Sequence, residues 1–207
     1  MSAPWVDEIR PMLADARKQP FSSSEWIYEI KYDGYRCLAG VDRGRVELRT
    51  RNGANCTHWY EEVAHLLSTL KGGPHVLDGE AAILDDVGRS DFNRLHKRAA
   101  KRRWDPANPV TFCAFDLLVV NGENLMDQPL EVRKNKLFQL LKPLQGKLIV
   151  IGEWPADTNI FREIVLGAKL EGVVAKQRGS VYTPGIVSPC WLKIKRPGWN
   201  EGRNWKK

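Results

Sequence analysis

Bulky apolar and polar residues alternate over residues 25–30 (EWIYEI), the period of a half-buried strand. Residues 35–41 and 46–49 continue as strands, joined by a turn at residues 42–44. Residues 59–71 place Val63, Leu66, Leu67 and Leu70 at helical spacing and stop at Gly72-Gly73. Residues 75–84 predict a strand interrupted by Gly79. Ser90 is the expected cap of a helix reaching about residue 103. Residues 110–120 form a long apolar strand closed by Asn121-Gly122, a strong turn signal. Pro129 opens a helix through residue 141. Residues 147–152 follow as a strand, 158–170 as a helix, and 172–176 and 191–195 as two further strands. Strands outnumber helices and arrive in pairs joined by short turns, unlike the alternation of a parallel doubly wound sheet. The expectation is an α+β fold with mostly antiparallel sheets and helices on their outer faces.

A chain of 207 residues with 43% hydrophobic and 28% charged residues is long enough to bury a core. It reads as a single domain over residues 1–207. The longest apolar runs, at 117–120 and 148–152, are far too short to span a bilayer. The N-terminus, MSAPWVDEIR, lacks the apolar segment of a signal peptide. Cys37, Cys56, Cys113 and Cys190 are widely spaced without a C-x-x-C pair, which argues against a structural zinc site. Cys37 and Cys113 lie in strand-like runs and read as reduced core residues of a cytoplasmic protein. Neither common phosphate-binding glycine loop occurs.

The net charge of +7 is unevenly spread. Residues 94–103 (RLHKRAAKRR) hold six basic residues and no acid, and residues 193–207 carry +5, which leaves the rest at −4. Two concentrated basic segments on a nearly balanced body suit a polyanionic partner. Either segment alone also reads as a solvated face.

The chemically richest stretch is residues 29–36, EIKYDGYR. Lys31 follows an apolar strand, and Asp33-Gly34 turns the chain. Burying an ammonium is costly, so packing alone disfavours a lysine there. A half-buried lysine becomes a nucleophile when burial and nearby cations lower its proton affinity. Taken alone, Lys31 equally reads as a surface lysine beside an Asp-Gly turn.

The K-x-D-G stretch followed by arginine resembles motif I of the covalent nucleotidyltransferases, the DNA ligases, RNA ligases and RNA capping enzymes. Further segments resemble the remaining family motifs in the family order: TRNG at 50–53, LDGE at 77–80, AFDL at 114–117, EGVVAK at 171–176 and WLKIK at 191–195. The opening PMLA at 11–14 and the wording EIKYDGYR look most like the ligase part of bacterial end-joining DNA ligases. This resemblance implies a nucleotidyltransferase (ligase adenylation) fold in which Lys31 attacks the α-phosphate of ATP and carries AMP. It implies that Arg36 and Arg51 face phosphate oxygens, of ATP or of a nick 5′-phosphate. Glu80 would accept from the ribose hydroxyls and Phe115 would stack on adenine, with the base edge read around Glu29 and Ile30. Lys176, Lys193 and Lys195 complete the nucleotide contacts, and Lys193 and Lys195 share one strand face at the α-phosphate. Glu171, with Asp33, would hold magnesium, for which manganese can substitute.

The implied partner is nicked double-stranded DNA, gripped by Arg51 and by Lys97, Arg98, Lys101 and Arg102 of the basic run. End-joining proteins and a separate OB-barrel region are further expected partners of a monomeric, cytoplasmic, nucleoid-associated bacterial protein. Only twelve residues follow Lys195, so an OB barrel is not expected within the chain. No additional DNA-binding domain is expected before Lys31. Fragment and stand-alone catalytic core both remain open. Two other functions stay in view: an RNA ligase or RNA-capping enzyme, and a non-catalytic DNA-binding module descended from a ligase. Asp78, Asp85, Asp86, Asp91 and Asp116 rank lower as metal ligands, and no histidine has the spacing of a catalytic partner.

Overall fold

A computed structural model describes residues 3–101 and 104–201. Two sheets face each other. The first has five strands in the order β1 (Leu13–Ala16), β11 (Val187–Lys195), β10 (Gly172–Gln177), β2 (Ser23–Ile30), β9 (Glu153–Ala156). The second runs β4 (Arg45–Thr50), β3 (Tyr35–Asp42), β5 (His75–Ala82), β6 (Thr111–Val120), β7 (Glu123–Asn124), with β8 (Ile149–Val150) also paired to β6. Pairing is antiparallel except β1 with β11 and β6 with β8. The α+β class with mostly antiparallel sheets is as expected, and no closed barrel forms among the described residues.

Strand period explains the layering. Tyr28, Val173, Ala175 and Ile194 on the outer face of the first sheet pack with Phe161 and Val165. The outer face of the second sheet, through Cys37, Ala39, Leu77, Ala81, Phe112 and Ala114, packs on α1 (Glu61–Leu67), α2 (Phe92–Lys101) and α3 (Leu130–Leu141). Fully burying one such aliphatic or aromatic side chain is worth about 1.5–3 kcal/mol. A third apolar cluster, with Leu38, Val76, Cys113, Phe115 and Trp191, lies between the sheets beside the inward-facing charged residues.

Several elements differ from expectation. The first helix is a 3₁₀ turn at Thr57–Trp59 followed by α1, which stops at Leu67. Asp91, not Ser90, caps α2: its Oδ1 accepts from Arg94 N at 3.0 Å. Ser90 instead accepts from Asp33 N at 2.9 Å, tying α2 to the Lys31 turn. The helix expected at 158–170 is one α-turn, Thr158–Ile160, running into a π-helix, Phe161–Leu166. The strand expected at 147–152 is only Ile149–Val150, and after a break at Ile151-Gly152 a second short strand, Glu153–Ala156, joins the other sheet. β11 begins four residues before the predicted 191–195 strand, and β1 is unforeseen. Pro189 is tolerated because the β1 register jumps there, from Ser188 opposite Ala14 to Leu192 opposite Asp15. Asn121 and Gly122 do form the predicted turn, both with positive φ.

Candidate active site

The inner faces enclose a cavity of about 950 Å³. The same period that buries Tyr28, Ala175 and Ile194 outward turns Glu29 of β2, Val174 and Lys176 of β10, and Trp191 and Lys193 of β11 inward, and Lys31, just past the end of β2, lines the same cavity. Register then aligns them: Glu29 lies opposite Val174, and Val174 opposite Lys193. From the second sheet come Arg36, Glu80 and Phe115, with Arg51 and Asn52 from the turn after β4. Segments far apart in sequence thus converge on one wall and its facing wall.

Two glycines make the approach possible. A Cβ on Gly34 would strike the Ala81 backbone, and its nearest side-chain neighbour would be Glu80 at 2.9 Å. A Cβ on Gly172 would strike the Ile194 carbonyl, with Lys195 Cα at 2.8 Å. These are the glycines of D-G and E-G, and each lets a functional carboxylate or lysine sit against a neighbouring strand.

Lys31 Nζ donates to Glu171 Oε2 at 2.9 Å, and Lys195 Nζ meets Glu171 Oε1 at 2.8 Å. Lys195 also lies over the Trp199 ring, 3.2 Å from its centroid. Lys193 Nζ donates to the Ala14 carbonyl at 3.0 Å. The expected cationic surroundings of Lys31 are corrected by this geometry. Burial pushes its pKa down, but Glu171, Glu80 and Asp33 outweigh burial and hold it above the ordinary lysine value. Burial raises Glu80 to about 7, against the opposing pull of Lys31 and Arg36.

At the far end, Glu29 is 2% exposed and held by two ammoniums, Lys134 at 2.6 Å and Lys176 at 2.7 Å. Lys134, on α3, also donates to the Ile151 carbonyl at 3.1 Å. It lies outside every motif, and a lysine in a charged helix carries no sequence signal of this role. Lys176 is wholly buried, with Nζ 4.0 Å from the Trp191 centroid and 4.5 Å from that of Phe115, and burial lowers its pKa. Ile30 lines the cavity as expected.

Arg36 lines the cavity, but its fork is occupied. Nε and Nη2 meet Asp78 at 2.5 and 2.6 Å, and Nη2 also donates to Met12 O at 3.2 Å. Its guanidinium stacks 4.4 Å from the Phe115 centroid. Nη1 is the guanidinium nitrogen left without a hydrogen bond among the described residues. Of the fork expected to face phosphate oxygens, Nη1 is the part that remains for a ligand. Phe115 is 8% exposed, part of both the inner core and the cavity wall.

The basic run fares differently. Arg98 is 2% exposed, its Nη2 bonded to Trp59 O at 3.1 Å and to Glu62 at 2.8 Å. The expected DNA contact from Arg98 is thus corrected: it is a core residue under α2. Lys97 and Lys101 are exposed, Lys101 with Asp105 at 3.7 Å, and Arg51 is exposed at the cavity. Arg102 lies outside the described residues, as do Arg103 and residues 202–207.

Among the described residues no group of three or more His, Cys, Asp or Glu side chains is placed to hold a metal. Glu171 and Asp33 share a smaller cavity, about 320 Å³, that also borders Lys31. Of the lower-ranked aspartates, Asp78 and Asp116 are buried on Arg36 and Arg133, Asp85 pairs with Arg89, and Asp91 is the α2 cap. The four cysteines are free thiols. No described helix is long and apolar enough to cross a membrane.

Facing antiparallel sheets around a cavity that joins a strand-end lysine to a carboxylate and two further lysines define a nucleotidyltransferase-type ligase domain. Comparison with known proteins agrees: the chain belongs to the ATP-dependent DNA ligase domain family, which matches residues 11–195. It is 35% identical over 195 residues to the multifunctional non-homologous end joining protein LigD of Mycolicibacterium smegmatis, covering 94% of this chain and 24% of that protein. It is 32% identical to the bifunctional LigD of Bacillus subtilis, covering 90% of this chain and 33% of that one. The chain thus spans about a quarter to a third of the length of these relatives. Among solved structures, a mycobacterial DNA ligase D complexed with ATP and MES superposes with a TM-score of 0.81 at 33% identity, over 92% of this chain and 61% of that one.

Proposed function

We propose that this chain performs the nucleotide-transfer chemistry of an ATP-dependent DNA ligase, with Lys31 as the covalent carrier of AMP. The observation that carries this reading is Lys31 Nζ at 2.9 Å from Glu171 at the edge of a nucleotide-sized cavity. Nζ forms a bond to the α-phosphorus, the bond to the bridging oxygen breaks, and pyrophosphate leaves. As it stands Lys31 is an ammonium, so it must lose a proton first. Glu171 Oε2 is within reach to accept it. Lys195 on the other carboxylate oxygen keeps Glu171 oriented, and Lys193 adds positive charge to the same wall.

Glu29 and the neighbouring backbone serve the adenine edge, Phe115 the ring face, Glu80 the ribose, and Arg36 through Nη1 and Arg51 the phosphates. Magnesium fits the donor set in its usual mode, with Glu171 and Asp33 offering one or two carboxylates and phosphate and water completing the shell, and when bound it neutralises phosphate charge. AMP then passes to a DNA 5′-phosphate, forming a diphosphate link. The 3′-hydroxyl attacks that phosphate and AMP leaves as the nick closes. Lys97, Lys101 and Arg51 supply sequence-independent phosphate contacts. The similarity to end-joining LigD proteins supports DNA repair by end joining as the setting, with a longer protein or separate region completing the grip on DNA.

The test is a chase. The chain is loaded from ATP or GTP, freed of nucleotide, and given nicked DNA or the matching nicked RNA. Loading from ATP and AMP transfer to the DNA nick are expected. Loading from GTP alone, or transfer only to RNA, would move the assignment to a capping enzyme or RNA ligase. No loading from either would leave the non-catalytic reading.

A further inference from the structure

Four groups from separate segments close a hydrogen-bonded ring behind the cavity wall. Met12 N donates to the Tyr182 hydroxyl at 3.0 Å, and that hydroxyl donates to Asp78 Oδ2 at 2.6 Å. Arg36 Nη2 donates to the same Oδ2 at 2.6 Å and to Met12 O at 3.2 Å, which returns to the starting residue. Tyr182 is 2% exposed and Asp78 0%, so water does not compete with the ring. The tyrosine is held on its other sides as well. Its ring packs edge-on to Trp191 with centroids 5.8 Å apart, and Trp191 packs edge-on to Phe115 at 6.1 Å. The Tyr182 backbone N–H donates to Met126 O at 2.8 Å.

Tyr182 belongs to the loop between β10 and β11 and touches no part of the cavity itself. Asp78 has two oxygens to offer. Arg36 takes both in a two-point pair, and the tyrosine hydroxyl adds a third bond on Oδ2 that anchors the pair to the β10–β11 loop. We propose that Tyr182 is a positioning residue for nucleotide binding: its hydroxyl sets the Asp78 carboxylate, which in turn holds the Arg36 guanidinium flat on Phe115 with Nη1 left for the ligand. The inference rests on the nucleotide reading above and names a residue that reading does not use. The same ring fixes Met12, two residues before Ala14, whose carbonyl receives Lys193 Nζ. One hydroxyl thereby bears on both the arginine and the lysine side of the cavity.

The experiment compares wild type, Tyr182→Phe, Arg36→Lys and the double variant in single-turnover AMP loading across ATP concentrations. Rates are normalised to the fraction that loads at saturating ATP after long incubation, so partial misfolding does not enter. Tyr182→Phe is expected to raise the ATP concentration for half-maximal loading about 10-fold while the maximal rate stays within about 3-fold, the signature of lost ground-state binding. In the Arg36→Lys background the same change should add less than about 2-fold, because the two residues act through one path. A purely structural tyrosine would lower the melting temperature without moving the half-saturation point, or would act equally in both backgrounds, and either result overturns the proposal. Should Tyr182→Phe yield no folded protein, Asp78→Asn is run in its place with the same expectation and the same overturning results. Wild type that fails to load AMP would sink the nucleotide reading itself, whereas wild type that loads beside an unaffected Tyr182→Phe sinks this inference alone.

Discussion

The cavity and helix α2 are both rich in basic residues, yet only the cavity brings its own to one place. In the cavity, strand period and register decide. Lys31 just past the end of β2, Lys176 of β10 and Lys193 of β11 are separated by as many as 162 positions and line one cavity because these strands are neighbours and show alternate residues to the same side. On α2 the residues are contiguous in sequence and the helix scatters them. Arg98 turns under the helix onto Glu62, Arg94 bonds Asn108 and the Ala107 carbonyl, and Lys97 and Lys101 remain outside. A local charge count therefore overstates a patch on a helix. Widely spaced residues on neighbouring strands are invisible to any count.

The sharpest break between the two regions is chemical. Glu171→Gln removes the proposed proton acceptor of Lys31 without changing its shape. AMP loading should slow by about 10²–10⁴-fold, the usual share of a positioned base. A loading rate within a factor of two of wild type would remove Glu171 from this role.

On the helix side the large effect should be on stability. Arg98→Ala removes the buried guanidinium from Glu62, which keeps only its bond from Val110 N, and the loss of such a buried side chain and its charge-assisted bond should cost about 2–4 kcal/mol. Urea unfolding measures it, and a change below about 1 kcal/mol would return Arg98 to the surface. Arg98 was expected to bind DNA because it sits among five other basic residues. Its burial follows from Leu95, three positions earlier, which is 0% exposed and marks the inward face. Leu95 was in the sequence, but the partner was not, since Glu62 lies 36 positions away.

The same division separates what sequence could reveal from what it could not. The six motif segments, the Asn121-Gly122 turn and most strands of the second sheet were readable, because each rests on local pattern. β1 was not, being four residues long and interrupted by a bulge at Ala14/Asp15. Nor were Lys134 on Glu29 and Tyr182 on Asp78, contacts across 105 and 104 positions that only the folded sheets create. The direction of the Lys31 pKa was misjudged for the same reason. Glu171 and Glu80, which the sheets deliver to its side, outweigh burial and raise it.

A smaller effect should appear with pH. Burial penalises the charge of the Glu80 carboxylate and pushes its pKa up to about 7. If it accepts from ribose, only the ionised form binds well. ATP affinity should fall as pH drops from 8 to 6, and Glu80→Gln should flatten that dependence. An equal slope in both chains would take Glu80 out of the nucleotide contacts.

The smallest effect separates surface from core on α2. Lys97→Ala with Lys101→Ala should leave stability within about 0.5 kcal/mol. The salt dependence of duplex DNA binding should flatten by about 1.8 units of slope if both contact phosphate, at about 0.9 per contact. An unchanged slope would make the outer face of α2 solvated and no more.

The central claim is that the convergence of strands in the cavity makes Lys31 a nucleophile toward ATP. Intact mass after incubation with ATP and magnesium tests it most directly. The chain should gain the mass of one AMP, on the peptide that holds Lys31, and Lys31→Ala should gain none. No added mass on the folded wild-type chain, or AMP retained by Lys31→Ala at the wild-type level, would contradict it.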